Sequence, residues 1–326
     1  MLQLEFAAES WPIAGSFTIS RGSKTAADVV TVTLSDGTHV GRGECVPYPR
    51  YEETVPQVLA ALAAARQRIE TGFDHADVPA LLTPHAARNA LDCALWDLRA
   101  KQSGKPTWVL ANLPEPQPAI TAYTLSLDTP EAMGEAAARA QARPLLKLKL
   151  GRDGDIARLK HIRANAPGSR LIVDANEGWT PDNLAEMLKA CADAGVELVE
   201  QPLPAGYDEA LRHMPRAVTV CADESAHDVT SLDELIGKYD AINIKLDKTG
   251  GLTGAIALAK AAQARDLKIM VGCMLATSLA MAPAFLLSPM ADVIDLDGPL
   301  LLKHDRDPGI RFDGSLMYPP PSALWG

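Results

Sequence analysis

The chain has 326 residues, 47% of them hydrophobic and 22% charged, a composition that fits a folded globular protein and excludes wholesale disorder. Asp and Glu total 41 against 31 Lys and Arg, and the net charge of −10 argues against nucleic acid as the main partner, because a phosphate backbone needs a basic face. The five cysteines, at 45, 93, 191, 221 and 273, are scattered and form no C-x-x-C pair, so neither a disulfide framework nor a zinc cluster is expected, and a reducing cytoplasm fits.

The opening residues Met-Leu-Gln-Leu-Glu lack a basic stretch followed by an apolar run, so no signal peptide is expected. Residues 28–34 and 38–43 are β-rich runs around Ser35-Asp36-Gly37, a tight hairpin signal. Helical patterns follow at 54–70 and after Pro84, where Ala87, Leu91, Ala94, Leu95 and Leu98 recur at helical spacing until Gly104 and Pro106. Strands followed by helices predict an α+β domain over residues 1–115, and prolines 114, 116 and 118 mark a linker.

Beyond the linker, short apolar runs alternate with helical segments. The runs lie at 119–125, 145–150, 171–174, 196–200, 218–223, 241–245, 268–272 and 293–297. Eight such runs predict parallel strands in a (β/α)8 barrel over residues 116–304. An open doubly wound sheet is the alternative, but it normally opens on a glycine fingerprint, and none occurs. Little helical pattern follows the last run, so the eighth helix is expected to be missing or degenerate and residues 305–326 to return to the first domain. The uncharged stretch 271–291 is long enough for a membrane span, but Pro283, Pro289 and its place between two strand-like runs assign it to a strand end, a loop and a buried helix. No membrane partner is expected, and a homo-oligomer is left open.

Charged residues close these strands at barrel spacing. Lys149, Asp174, Glu200, Asp223 and Lys245 follow one another at intervals of 25, 26, 23 and 22 residues, about one βα unit each, which stacks them on the C-terminal rim where barrel active sites lie. Singly, an acid after a strand is an ordinary helix cap. Three acids on adjacent strand ends repel one another unless a cation lies between them, and an all-oxygen set suits magnesium. Lys147 and Lys149 alternate with period two and share one face, and Lys245 comes from roughly across the barrel. Two lysines flanking one metal are arranged to remove and return a proton on opposite faces of a carbon α to a carboxylate. Asp295 and Asp297 share a face on the last strand, as a solvated turn pair or as a site for a substrate ammonium. Gly250-Gly251 before a helical run could hold a phosphate, but the pair reads rather as a tight βα turn.

The ordered set K-x-K (Lys147, Lys149), V-D-A-N (Asp174, Asn176), V-E-Q-P (Glu200), A-D-E-S (Asp223, Glu224), N-I-K-L-D-K-T-G-G (Lys245) and D-L-D-G (Asp295, Asp297) resembles the enolase superfamily. Within it, the set is similar to the muconate-lactonising subgroup and its dipeptide epimerases acting on L-Ala-D/L-Glu. The similarity covers nearly the whole chain, including Arg21-Gly-Ser, the G-E-C-V-P-Y-P-R-Y segment at 43–51 and the R-N-A-L-D-C-A-L-W-D-L segment at 88–98. The resemblance implies a capping domain over a (β/α)7β barrel, with magnesium on Asp174, Glu200 and Asp223. It implies Lys149 and Lys245 as the acid/base pair of a 1,1-proton transfer through an enediolate, with Lys147 beside the bound carboxylate. It sets Asp295 and Asp297 against the amino terminus of a small-molecule dipeptide, as in recycling of cell-wall peptides. Asn176 and Glu224, in the same motifs as the acids, are counted with the site. Capping loops near residues 17–24 and 47–51, the second carrying Tyr48, would close over it. One departure stands out: relatives hold the distal glutamate carboxylate with an arginine of the first loop, and here Lys24 stands in that place with Arg21 nearby. The rival readings are a muconate cycloisomerase or an o-succinylbenzoate synthase, whose substrates carry no ammonium, a dipeptide epimerase of other side-chain preference, and a barrel that only binds a ligand.

Overall fold

Three antiparallel strands, β1 (Gln3–Ile19), β2 (Gly22–Ser35) and β3 (Val40–Cys45), open the chain in a sheet of order β1-β2-β3. They belong to a computed structural model that describes residues 2–83 and 85–326. The sequence reading missed β1. It lies at the sheet edge, carries Pro12 and Gly15, and shifts register against β2 between Pro12 and Phe17, so its alternation is broken. Helices Val55–Thr71 and His85–Ser103 cover the sheet and bury Val30, Val32, Leu34, Leu62, Leu91 and Leu98 in a core of their own. Pro84, the expected start signal of the second helix, lies outside the described residues, as does Met1. β3 runs so close to that helix that a Cβ on Gly43 would stand 2.1 Å from the Ala90 carbonyl oxygen.

The run at 119–125 is not one strand. β4 (Ala119–Ile120) leaves the barrel and pairs with the tail, and only β5 (Tyr123–Leu125) enters the large sheet. There follow β6 (Leu145–Lys149), β7 (Arg170–Asp174), β8 (Val196–Glu200), β9 (Thr219–Ala222), β10 (Ala241–Ile244), β11 (Lys268–Gly272) and β12 (Val293–Asp295), each parallel to its neighbour. The Ala122 N–H donates to the Ile294 carbonyl at 2.8 Å, and the Leu296 N–H to Thr121 Oγ1 at 2.8 Å, which joins the first strand to the last. The fold is a modified (β/α)7β barrel with a capping domain. Full helices fill most crossovers, but β8 is followed by the short turn Glu209–His213 and β9 by the four-residue helix Leu232–Leu235, and after β12 the helix is only Gly298–Leu301. The uncharged stretch becomes the end of β11, a loop and the eight-residue helix Ser278–Phe285, and among the described residues no helix is long and apolar enough to cross a membrane. The tail adds β13 (Phe312–Asp313) and β14 (Leu316–Met317), which pairs with β4. It also reaches the cap: Trp325 Nε1 donates to the Cys93 carbonyl, and Arg306 to Glu44 and Glu9.

Strand periodicity builds the barrel interior in layers. Ala122, just before β5, and one residue from each following strand, Leu145, Ile172, Leu198, Cys221, Ala241, Met270 and Val293, form an apolar plug. Two residues further along each strand stand Thr124, Lys147, Asp174, Glu200, Asp223, Asn243, Gly272 and Asp295. The plug therefore carries a polar layer at the C-terminal ends of the strands.

Gly43→Ala forces β3 from the helix, and overpacking of this kind is expected to cost about 1–3 kcal/mol of stability, measured by denaturant unfolding. A variant as stable as the parent would show that this close approach is not needed.

Candidate active site

Lys147 Nζ lies 2.6 Å from Asp295 Oδ2, 2.6 Å from Glu200 Oε2 and 3.3 Å from Asp174 Oδ2. Lys149 Nζ donates to Asp174 Oδ2 at 2.6 Å, and Lys245 Nζ to Asp223 Oδ2 at 2.6 Å. β6 and β10 stand four places apart in an eight-stranded ring, so Lys149 and Lys245, which directly follows β10, approach the same layer from opposite sides. All of these side chains are buried.

Burial lifts the Glu200 carboxyl, and the neighbouring Asp174 adds to it, to about 7. Burial acts the same way on Asp174 and Asp223, but adjacent ammoniums, Lys149 and Lys147 on the first and Lys245 and Lys248 on the second, hold both below the usual carboxylate range. For Lys147 and Lys245 burial favours the neutral amine, and the surrounding carboxylates override it and keep both well above the ordinary lysine range.

Among the described residues, no three acidic, histidine or cysteine side chains already form a ligating cluster, because ammonium groups stand between the carboxylates. The donor set nevertheless fits a hard cation. Three carboxylates leave adjacent strands β7, β8 and β9 at one level, and Glu200 Oε2 is buried without a hydrogen-bond partner, its contact with Lys147 lying outside hydrogen-bond geometry. Asp174, Glu200 and Asp223 are the residues that could hold such an ion.

Two side chains of this layer went unrecognised as site residues. Asn243 Nδ2 donates to Glu200 Oε1 at 2.6 Å, and Gly272 makes room for it, since a Cβ there would stand 2.5 Å from Asn243 Oδ1. Lys248 Nζ, with 1% of the residue exposed, donates to Asp223 Oδ1 at 2.6 Å and to the carbonyls of Asp223 and Asn243. Counting by two from the apolar plug finds Asn243. Lys248 follows Lys245 by one helical turn.

Above the layer lies a cavity of about 480 Å³, walled by Lys149, Lys245, Asp223, Glu224 and Asn176 from the barrel and by Phe17, Ile19, Lys24, Tyr48 and Tyr51 from the cap. Met274 and Leu275 add an apolar wall. Arg21 also lines it, but its guanidinium is engaged by Glu224 at 2.7 Å, Glu177 at 3.1 Å and the Asn176 carbonyl at 2.8 Å. Burial and nearby Asp223 lift the Glu224 carboxyl to about 7. Lys24 Nζ stands 5.2 Å from the Tyr48 ring centre, and among the described residues it has no carboxylate partner. Asp297 accepts the Thr124 N–H at 2.6 Å, and burial beside Asp295 lifts its carboxyl to about 7. Neither Asp295 nor Asp297 is part of the cavity wall.

Glu177, another residue missed in the sequence, fastens both capping loops. It accepts from Arg21 of the first loop, from Arg50 of the second at 2.7 and 2.8 Å, and from the Ala205 N–H at 2.8 Å. Asn176 and Glu177 both have positive φ, 45° and 64°, an uncommon conformation for two adjacent non-glycine residues.

Comparisons with known proteins bear on the family and the fold. The model for the N-terminal domain of mandelate racemase/muconate lactonizing enzymes matches residues 1–111, and the model described as enolase C-terminal domain-like matches residues 132–320. The chain is 43% identical over 307 residues to an L-Ala-D/L-Glu epimerase of Escherichia coli (strain K12), covering 93% of this chain and 95% of that one. It is 44% identical over 300 residues to an N-acetyl-D-glutamate racemase of a Pseudoalteromonas species, covering 91% and 95%. An enolase family member from Agrobacterium tumefaciens with homology to dipeptide epimerases, solved with sodium and L-Ala-L-Glu bound, superposes with a TM-score of 0.98 at 51% identity over 100% of both chains. Solved dipeptide epimerases holding Mg and a dipeptide share the fold as well.

Glu177→Ala removes the tie the two loops share, so hydrogen–deuterium exchange is expected to rise in both, by about tenfold or more in residues 47–51 and by less in residues 17–24, where Arg21 keeps Glu224 and the Asn176 carbonyl. Faster exchange in one loop alone would show that Glu177 does not couple them.

Proposed function

The chain belongs to the enolase family, in its mandelate racemase/muconate lactonizing enzyme branch, and from that premise we propose a magnesium-dependent dipeptide epimerase that inverts the α-carbon of the C-terminal residue of L-Ala-D/L-Glu. The observation that carries it is the pair Lys149 and Lys245, on opposite sides of one buried carboxylate layer under a cavity of dipeptide size. Asp174, Glu200 and Asp223 are the magnesium ligands. Magnesium, when bound, stabilises the negative charge that develops on the substrate carboxylate as the α-proton leaves.

Lys149 removes the α-proton from one epimer while Lys245 delivers a proton to the opposite face to give the other, and in the reverse direction the two lysines exchange roles. Each acts as a base only when its carboxylate partner no longer holds its ammonium. Lys147 lies among the carboxylates, where its charge offsets that of the reacting carboxylate. For the distal glutamate carboxylate we assign Lys24: it faces the cavity without a carboxylate partner, whereas Arg21 is spent on Asn176, Glu177 and Glu224. Tyr48 packs beside Lys24 and steadies it. Asp297, with Asp295, takes the substrate ammonium. The reading agrees with a cytoplasmic role in recycling cell-wall peptides.

A second reading, racemisation of an N-acylated glutamate, is favoured by one feature. Asp295 is already paired with Lys147, Asp297 is bonded to the Thr124 N–H, and neither lines the cavity, so an ammonium is not demanded by the cavity wall. The same α-carboxylate, α-proton and distal carboxylate would be handled by the same residues.

Incubation with L-Ala-L-Glu, L-Ala-D-Glu and N-acetylglutamate in heavy water separates the two readings. The free dipeptides are expected to take up deuterium at the glutamate α-carbon at least about tenfold faster than N-acetylglutamate, since a charge-assisted contact contributes roughly 1.5–3 kcal/mol. Preference for N-acetylglutamate would favour the second reading, and inertness of all three would defeat both. Chelation of divalent ions is expected to abolish exchange and magnesium to restore it. Lys24→Ala is expected to raise KM for Ala-Glu by about tenfold while changing Ala-Leu little. An equal effect on both substrates would contradict the Lys24 assignment.

A further inference from the structure

The turn Leu246–Thr249 carries three polar side chains close to Lys245, and the chemistry above accounts for only part of them. Lys248 holds Asp223 from inside the barrel. Asp247, between the two lysines, is buried with 7% of its surface exposed and bonds to the cap. Its Oδ1 accepts the Val46 N–H at 3.0 Å and Nδ2 of Asn89 at 2.8 Å. Asn89 Nδ2 also reaches the Glu44 carbonyl at 3.4 Å. Among the described residues no lysine, arginine or histidine pairs with Asp247. A buried carboxylate without a cation is weak cement, so two directed hydrogen bonds that cross from cap to barrel are what it contributes.

The position of those bonds matters. Val46 lines the cavity and begins the second capping loop, whose Tyr48, Arg50 and Tyr51 line it too. Asn89 lies on helix His85–Ser103, in the 88–98 segment whose role is otherwise unexplained. The same helix face meets the chain again just beyond the turn, where Asp92 accepts the Thr253 N–H at 2.9 Å and a Cβ on Gly251 would stand 2.5 Å from Asp92 Oδ2. Lys149 takes no part in this knot; its neighbours are Asp174 and the Phe17 ring of the first loop.

We propose that Asp247 is a positioning residue that ties the second capping loop to the turn behind Lys245, and so controls proton transfer on the Lys245 side of the substrate and not on the Lys149 side. This rests on the reading of Lys245 as one of two bases. Burial lifts the Asp247 carboxyl to about 7, so near neutral pH an asparagine, which keeps Oδ1, is a close stand-in.

The test is α-proton exchange in heavy water, measured separately from each epimer of Ala-Glu in the magnesium-loaded full chain. Lys245→Ala marks the epimer that depends on Lys245. Asp247→Ala is expected to slow exchange from that epimer by about ten- to a hundredfold and from the other by no more than about twofold, with Asp247→Asn restoring most of the loss. Equal slowing of both epimers, or no slowing, would overturn the proposal. Where Asp247→Ala does not fold, Asn89→Ala carries the same comparison, and a symmetric loss there overturns it equally. Absence of exchange in the parent protein would defeat the epimerase reading itself, an outcome distinct from any difference among variants.

Discussion

Neutralising buried carboxylates is the constraint on which the barrel mouth depends. Asp174, Glu200, Asp223 and Asp295 are at most 4% exposed, and removing an ionised carboxylate from water costs several kcal/mol unless a cation meets it. Four ammoniums do so, those of Lys147, Lys149, Lys245 and Lys248. Four ammoniums thus stand against four carboxylates, one for one. A divalent cation and a substrate carboxylate together add one net positive charge. Balance is then kept when one ammonium gives up its proton, leaving one base and one acid, the pair that a 1,1-proton transfer requires.

The charged layer and most of the cavity wall sit on different parts of the chain. The charged layer is carried by rigid strand ends over an apolar plug, so its geometry is set by the barrel. The cavity wall above it comes largely from β1, β2 and the loop after β3, fastened through Glu177, Glu224 and Asn176. Loops held by a few ion pairs above the strand ends can change their other side chains without disturbing the layer beneath. That division fits relatives of similar identity that act on a dipeptide in one case and on an N-acylated amino acid in the other.

The charged layer was legible in the sequence because strand period and βα spacing bring Asp174, Glu200 and Asp223 to one height beside Lys147, with Lys149 and Lys245 two residues further along their strands. The cap was less so. β1 was missed because Pro12 and Gly15 interrupt its alternation at a sheet edge, and residues 119–125 were read as one strand because hydropathy does not distinguish pairing with a barrel neighbour from pairing with the tail. Lys248 and Glu177 were not recognised because their partners come from other segments: Asp223 for the first, Arg21 and Arg50 for the second. Arg21 and Lys24 read alike as first-loop cations, and only their neighbours separate them.

The most direct measurement of the central claim is deuterium uptake at the glutamate α-carbon by Lys149→Ala and by Lys245→Ala, each assayed from both epimers with magnesium. The account expects complementary loss: each variant goes silent from one epimer and still exchanges the other, while net epimerisation stops in both. A variant lacking either lysine that still interconverts the two epimers at the parent rate would contradict it.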